Sequence, residues 1–570
     1  MDPSLLQFHT YFLFPFSIDK DTLLQENAGL WEQHQDWIEG FDKWIATDSG
    51  AVASPIHNRL GGWRRASYRR FDMDAPAYQD MLFFHPVVRR TFFDVESSGD
   101  EGESLLRTYT IPIPGNVHLR MEAEDRKGHQ CGLSVTDLRL FLFANAIGIL
   151  SIGVEACGIP VREALWANES LRKIYPSSGR QLREGRIPHR TTLRLERDGQ
   201  AETLVEETWP SARMIGYQPP LSRLITSLLY FMDYSRLEFE PVLDERMIVY
   251  SYFALDPKSV GEKFHTQEAF QVLLSRMLYV DRYGADYRYD ARFTRELMKQ
   301  DLYDRWAHQG TYYGFTSYSA ITVTIGTYDC DQHMLSEGFL VHRMFDTRYY
   351  LMAIVCLFYR ATLLDFSEKT ALISKRLYKD QAHGALAPAT VETASEIRGQ
   401  FLHFSNHWHF EELVNKDEEI EHYNMWSRAY HIGTMKAEIE SEVEKLNAFL
   451  REHYQRRDTH AINRLAILSG LLGAAAVVTG YFGMNFGLLF ERFFFEPLDR
   501  ASSITHGAAI AAATLVAFGA LTFGVYLVAS HWHDYRDIVL PGAGRGSKRR
   551  MWQSLKRIQL QGEDEGGDAK

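Results

Sequence analysis

Charge is missing from two long stretches near the C-terminal end of this chain. Leu465 to Phe490 carries no charged side chain, and Gly507 to Ala529 carries none either. About 20 such residues in a helix rise roughly 30 Å, the thickness of a bilayer's hydrocarbon core. The pattern therefore predicts two membrane-spanning helices, 465–486 and 504–530, joined by a polar-aromatic loop, 487–503.

Upstream the periodicity changes to that of a folded domain. Leu105–Pro112 and His118–Ala123 read as strands, and Leu138–Phe143 with Ile147–Glu155 as a hairpin. A second hairpin, Thr191–Arg197 and Ala201–Trp209, turns on Asp198-Gly199, the dipeptide that type I′ turns favour. Val161–Tyr175 and Leu221–Met232 read as helices, Arg246–Ala254 and Ala320–Ile325 as strands. Strands and helices without a regular βαβ period predict an α+β (mixed α/β) domain over 105–333. Residues 1–104 are rich in aromatics (Trp31, Trp37, Trp44, Trp63), with an amphipathic helix over Leu23–Trp44.

Residues 334–416 read as helices. The run YYLMAIVCLFYRATLLDF resembles a span, but Arg348 and Arg360 bracket only eleven residues, too short to cross. A buried core helix is predicted there. Pro388 marks a break, and Thr390–Lys416 forms the next helix. From Asp417 to Phe482 there is no proline, which predicts a continuous helix whose stalk, 417–464, leads into the first span. Ile432, Met435, Ile439, Val443, Leu446 and Leu450 step by three and four, forming a packing seam.

Composition adds limits. The 570 residues average a mean hydropathy of −0.27, so two apolar islands sit in a mostly soluble chain. A net charge of −12 argues against a general nucleic-acid binder. Cys131, Cys157, Cys330 and Cys356 are scattered without a CxxC pair, which fits a reducing cytoplasm. The N-terminus lacks the basic start and small-residue cleavage site of a signal peptide. Arg456, Arg457 and Arg464 precede the first span, and Arg536, Arg545, Lys548, Arg549 and Arg550 follow the second. The intervening loop offers only Arg492 and Arg500 against Glu491, Glu496 and Asp499. Both termini are therefore expected in the cytoplasm of a multi-pass (inner) membrane protein, with a basic then acidic tail over 531–570.

The first span ends in Gly483-Met484-Asn485, between Tyr481-Phe482 and Phe486. A Gly-Met-Asn triplet there, with two C-terminal spans after a large soluble region, resembles the signature of the CorA family of divalent-cation channels. The resemblance implies a homopentamer whose first span lines a central pore, and Mg²⁺ as cargo, with Co²⁺ or Ni²⁺ also accepted. Asn485 would form a ring of amide oxygens at the outer mouth, Gly483 would let the chain leave the helix sharply, and Met484 would pack behind. Counting back in the family's intervals puts Ala476, Gly473, Leu465, Ile462 and Thr459 on the lumen. CorA-like chains are usually shorter, so 1–104 is expected to be an N-terminal extension. Mg²⁺ would also act as a regulatory ligand, and no resident cofactor is implied.

Neither span holds a carboxylate, which argues against a proton relay. Gly542–Lys548 lacks the Gly-Lys-Ser/Thr ending of a phosphate loop, and no catalytic constellation stands out, so passive transport rather than enzymatic chemistry is expected. Glu491, Glu496 and Asp499 either concentrate cations at the entrance or are solvated loop charges. His403, His407 and Glu411 fall at i, i+4, i+8, a spacing that suits a metal as well as a packed interface. Asp417, Glu418 and Glu421 open the stalk helix, as favourable charges at a helix N-terminus or as a cation sensor. Three alternatives share the architecture: a ligand-gated CorA-like effector pore, a zinc transporter, and a membrane-anchored scaffold without transport.

Overall fold

The computed structural model describes residues 3–26, 37–46, 54–66, 82–93, 105–126, 128–175, 187–209, 220–243, 246–260, 268–283, 290–326, 340–382 and 386–495, with helical positions 504–505, 507–509, 511–512, 515, 518–519, 522 and 526. The chain forms two compact units, Met1–Ala371 with Gly399–Glu440, and Leu372–Arg398 with Ser441–Lys570.

The first unit is built on the N-terminal strand. Leu5–Ile18 (β1), LLQFHTYFLFPFSI, is buried along nearly all its length. The remaining strands are β2 (Arg64–Arg65), β3 (Leu106–Thr110), β4 (Val117–Glu124), β5 (Gln130–Phe143), β6 (Ile147–Cys157), β7 (Arg190–Arg197), β8 (Gln200–Thr208), β9 (Phe239–Pro241), β10 (Ile248–Leu255), β11 (Leu302–Tyr303), β12 (Thr311–Phe315) and β13 (Ser319–Ile325). Among the described residues they form one thirteen-stranded sheet in the order β11-β12-β13-β10-β1-β6-β5-β4-β7-β8, with β2 beside β3, β3 beside β5 and β9 beside β1. β1 lies antiparallel to β10 on one side (Phe12 opposite Val249) and to β6 on the other (Tyr11 opposite Gly153). The β10–β13 pair is parallel, Tyr252 opposite Thr322.

Residues 1–104 are thus no separate extension, because β1 is the middle of the sheet and β2 hydrogen-bonds to it through β3. A strand covered on both faces shows a continuous apolar run in place of alternation, so its sequence lacks the usual strand signature. Leu23–Trp44 is likewise two helices, Lys20–Glu26 and Trp37–Ala46 (α1), with 27–36 outside the described residues. Both predicted hairpins are present. Asp198 (φ 52°) and Gly199 (φ 77°) take the left-handed conformations a type I′ turn requires.

The two faces of β1 meet different layers. Phe8, Phe12, Phe14 and Phe16 enter the main core with Phe41 and Trp44 of α1 and Leu165 of Val161–Leu171 (α2). His9 and Tyr11 face the other way, toward Leu340–Asp346 (α3) and Arg348–Ala382 (α4). The Tyr11 and Tyr350 rings lie 4.3 Å apart, Tyr250 stacks on Phe345 at 4.3 Å, and Phe143 on Phe358 at 4.0 Å. Burying one such ring contributes roughly 2 kcal/mol relative to leaving it in water. Among the described residues Val341–Ala382 is the one helix long and apolar enough to cross a membrane, and 78% of its apolar window is buried in protein. It is the predicted core helix.

Two helices end earlier than the sequence suggests. Pro388–His403 (α5) closes in a π turn, Phe404–Trp408, and His409 is extended, so Thr390–Lys416 is not one helix. Asp417–Ala429 (α6) stops at Tyr430, His431 turns left-handed (φ 55°), and Ile432–Phe495 (α7) follows. The break is held by ring contacts: Trp426 meets Tyr430 at 5.0 Å and Arg360 lies 4.8 Å over Tyr430. Trp426 also packs on Phe315 of β12 at 5.3 Å, so the expected stalk, 417–464, begins as part of the sheet unit.

In the second unit the buried apolar residues include Ile373, Leu377, Val391, Ala394 and Ile397, with Val443, Leu446 and Leu450 of the predicted seam. Arg398 Nη1 donates to Asn447 Oδ1 at 2.6 Å there.

Candidate functional site

The helix α7 runs 64 residues, a rise of roughly 95 Å, because the chain holds no proline from Asp417 until Pro497. Its backbone stays helical through Gly483-Met484-Asn485 and on to Phe495. The helix of the predicted first span therefore continues past 486, and 487–495 of the expected loop are helical. One glycine costs a helix only about 1 kcal/mol, too little to stop a run flanked by Phe and Leu. The side chains of Gly483, Met484 and Asn485 lie outside the described residues, as do those of Thr459, Glu496 and Asp499.

Among the described side chains entering the first apolar stretch, Ile462, Leu465, Ser469, Leu472, Gly473 and Ala476 are exposed. At about 100° per residue these six fall within one arc of about 100°, so they form a stripe on a single helix face. Four of the five predicted lumen residues (Ile462, Leu465, Gly473 and Ala476) share it. A Cβ built at Gly473 would meet nothing within 4 Å. On the same straight helix the position of Asn485 falls about 140° round from Ile462. A continuous helix does not carry the triplet's asparagine to the face that holds the stripe.

The second apolar stretch is described at isolated helical positions. Ile504, Ala508, Ala511, Leu515, Phe518, Thr522 and Tyr526 are exposed and step by three and four along one face. Glu491, an expected entrance acid, is helical and exposed.

The remaining predicted groups separate. His403 and His407 stay adjacent, their rings 4.9 Å apart, with Trp408 against His403 at 4.5 Å. Glu411 lies past the end of the helix and its Oε1 accepts from Lys436 Nζ at 3.3 Å. The i, i+4, i+8 argument needed an unbroken helix, and the π turn removes it. Among the described residues no cluster of three or more His, Cys, Asp or Glu has metal-holding geometry. In the acidic run, Glu421 accepts from Tyr303 Oη at 2.5 Å and from Arg305 Nη1 at 3.1 Å. Those hydrogen bonds hold its carboxyl below the usual range, while burial raises that of Glu418. The pairs tie α6 to the β11 edge.

Sequence reading passed over a polar network between the sheet and α3. His9 Nδ1 lies 3.0 Å from His342 Nε2, which Gln7 Nε2 also approaches at 3.3 Å. Tyr11 donates to Asp346, Arg139 pairs with Asp137 at 2.5 Å, and Tyr350 donates to Ser151 Oγ at 2.7 Å. Burial pushes His9 down to about 4 and also lowers His342, with Asp346 opposing both shifts. Two neutral imidazoles can share one N–H···N bond, whereas two imidazolium ions would repel. The available signal was the polar odd positions of β1, Gln7, His9 and Tyr11, in a largely apolar run.

Comparison of the chain with known protein families, curated proteins and solved structures finds no match.

Proposed function

We propose that the chain is one subunit of a CorA-like homopentameric channel that passes Mg²⁺, with Co²⁺ and Ni²⁺ as further cargo, into the cytoplasm. The observation that carries this reading is Gly483-Met484-Asn485 inside a charge-free run of membrane length. The exposed stripe supports it. Apolar side chains such as Ile462 and Leu465 on a helix call for lipid or neighbouring copies to cover them. A hairpin of two helices cannot enclose a water path, so several copies must place one helix each around it.

In this reading Leu465 and Ile462 form the apolar inner constriction, with Thr459 below and Gly473 and Ala476 at mid-pore. Asn485 binds the ion through its waters, which Mg²⁺ gives up reluctantly. The 140° offset means that the assembled pore needs the chain to leave helical geometry at Gly483, which turns Asn485 to the axis and leaves Met484 behind the ring. Glu491, Glu496 and Asp499 hold cations near the entrance. The spans contain no carboxylate, so the ion moves passively. A divalent ion gains roughly 4–5 kcal/mol per 100 mV of inside-negative potential. Both termini lie in the cytoplasm. Glu421 acts in packing, since Tyr303 and Arg305 engage its carboxylate.

Proteoliposomes loaded with a Mg²⁺-sensitive dye test the reading. Influx that follows an inside-negative potential supports it. Absence of influx from a verified pentamer contradicts it and favours the scaffold.

A further inference from the structure

His403 and His407 keep a chemistry of their own after Glu411 leaves them. Both are exposed on the sheet unit, where α5 passes into its π turn. Residues four apart return to nearly the same face of an α-helix or a π turn, so the change that carries Glu411 away leaves this pair together. Trp408 stands edge-on to His403 at 4.5 Å and backs its ring. One turn earlier Gly399 is exposed, and a Cβ built there would meet nothing within 4 Å. Solvent can therefore reach the face beside His403.

Ring spacing decides what the pair can hold. An imidazole nitrogen binds a late first-row metal at about 2.0–2.1 Å, which puts the ring centroid about 3.2 Å from the ion. Two such rings have centroids about 4.5 Å apart at a right angle and about 5.2 Å apart at the tetrahedral angle. The centroids of His403 and His407 are 4.9 Å apart. An imidazole has two nitrogens, and a ligating ring ordinarily donates the other N–H to a neighbour. A hydrogen bond made by either ring thus leaves one nitrogen for a metal. The buried pair differs, because His9 Nδ1 and His342 Nε2 are joined to each other at 3.0 Å.

We propose that His403 and His407 chelate one late first-row transition-metal ion of the Ni²⁺ or Zn²⁺ kind, with water in the remaining positions. Imidazole suits these ions, whereas Mg²⁺ keeps to oxygen. Two protein ligands make an exchangeable site, unlike the four of a structural zinc. The site does not depend on the transport reading, and its binding is measured with no ion flux.

Equilibrium dialysis of the full chain in detergent against Ni²⁺, in a large excess of Mg²⁺, provides the test. One saturable site per chain is expected, displaced by Zn²⁺. It should weaken roughly tenfold or more in His403→Ala and in His407→Ala alike, since one imidazole alone lacks the second bond of the chelate. Both positions are exposed, so their thermal melts should match the wild type. Binding should be unchanged in His118→Ala, an exposed histidine on β4, and in Asn485→Ala, which separates this site from the proposed filter. Absence of saturable binding overturns the proposal. So does binding that survives both histidine substitutions, which marks adventitious metal elsewhere on the chain, or a loss confined to one of them.

Discussion

His9 Nδ1 stands 3.0 Å from His342 Nε2, joining the central strand of the sheet to a helix 333 residues later. The contact closes the first unit on itself. It is also a point on which acid should act.

Burial holds the folded-state pKa of His9 at about 4, against 6.5 for the unfolded chain. Between those values the unfolded chain takes up a proton that the folded one refuses. Stability is therefore intact above pH 6.5 and falls as the pH drops toward 4, by up to roughly 3 kcal/mol from this residue. His422, held near 3 by burial among Tyr303, Tyr313 and Tyr349, adds a loss of the same sign. Urea unfolding at pH 7.5 and pH 4.5 should show His9→Asn losing less stability on acidification than wild type. An identical loss in both would remove His9 from the account.

Gly153 faces Tyr11 across the β1–β6 pair, and a Cβ there would lie 2.8 Å from the Tyr11 ring. Tyr11 is packed against Tyr350 and cannot swing aside. Gly153→Ala should destabilise the sheet unit by about 1–3 kcal/mol, measured by chemical denaturation. A neutral result would mean that the strands separate freely at this point.

These two sites also mark what a sequence makes legible. The Asp198-Gly199 hairpin was readable because its turn chemistry is local. The run Tyr349–Tyr359 was readable as core because Arg348 and Arg360 bound it too closely for a span. β1 was not, since a doubly covered strand looks like any apolar run and its partners, β6 and β10, lie far along the chain. The break at His431 falls at no glycine or proline. It is set by Trp426, Tyr430 and Arg360 packing together, which no local pattern encodes. The triplet at 483–485 was conspicuous, but the helix that runs through it was not, because one glycine weighs little against its neighbours.

Leu465 is exposed on the stripe shared by Ile462 and Gly473, where the proposed pore has its apolar constriction. An apolar ring resists ions by dewetting. Leu465→Asn should wet that ring and raise ion flux severalfold at constant potential, read with the same dye-loaded vesicles. Unchanged flux from an intact pentamer would place Leu465 away from the lumen.

Gly483 is where the helix must yield if Asn485 is to reach the axis. Alanine favours the helix over glycine by about 1 kcal/mol in each copy. Gly483→Ala should thus reduce flux without altering assembly or helix content. Flux at the wild-type level would show that the pore forms with the helix unbroken.

The most direct measurement compares Mg²⁺ influx through wild type and Asn485→Ala in proteoliposomes held at an inside-negative potential. The account predicts influx in the wild type and a large change in its rate or its Mg²⁺ selectivity in the variant. Identical influx and selectivity in the two would contradict an asparagine filter.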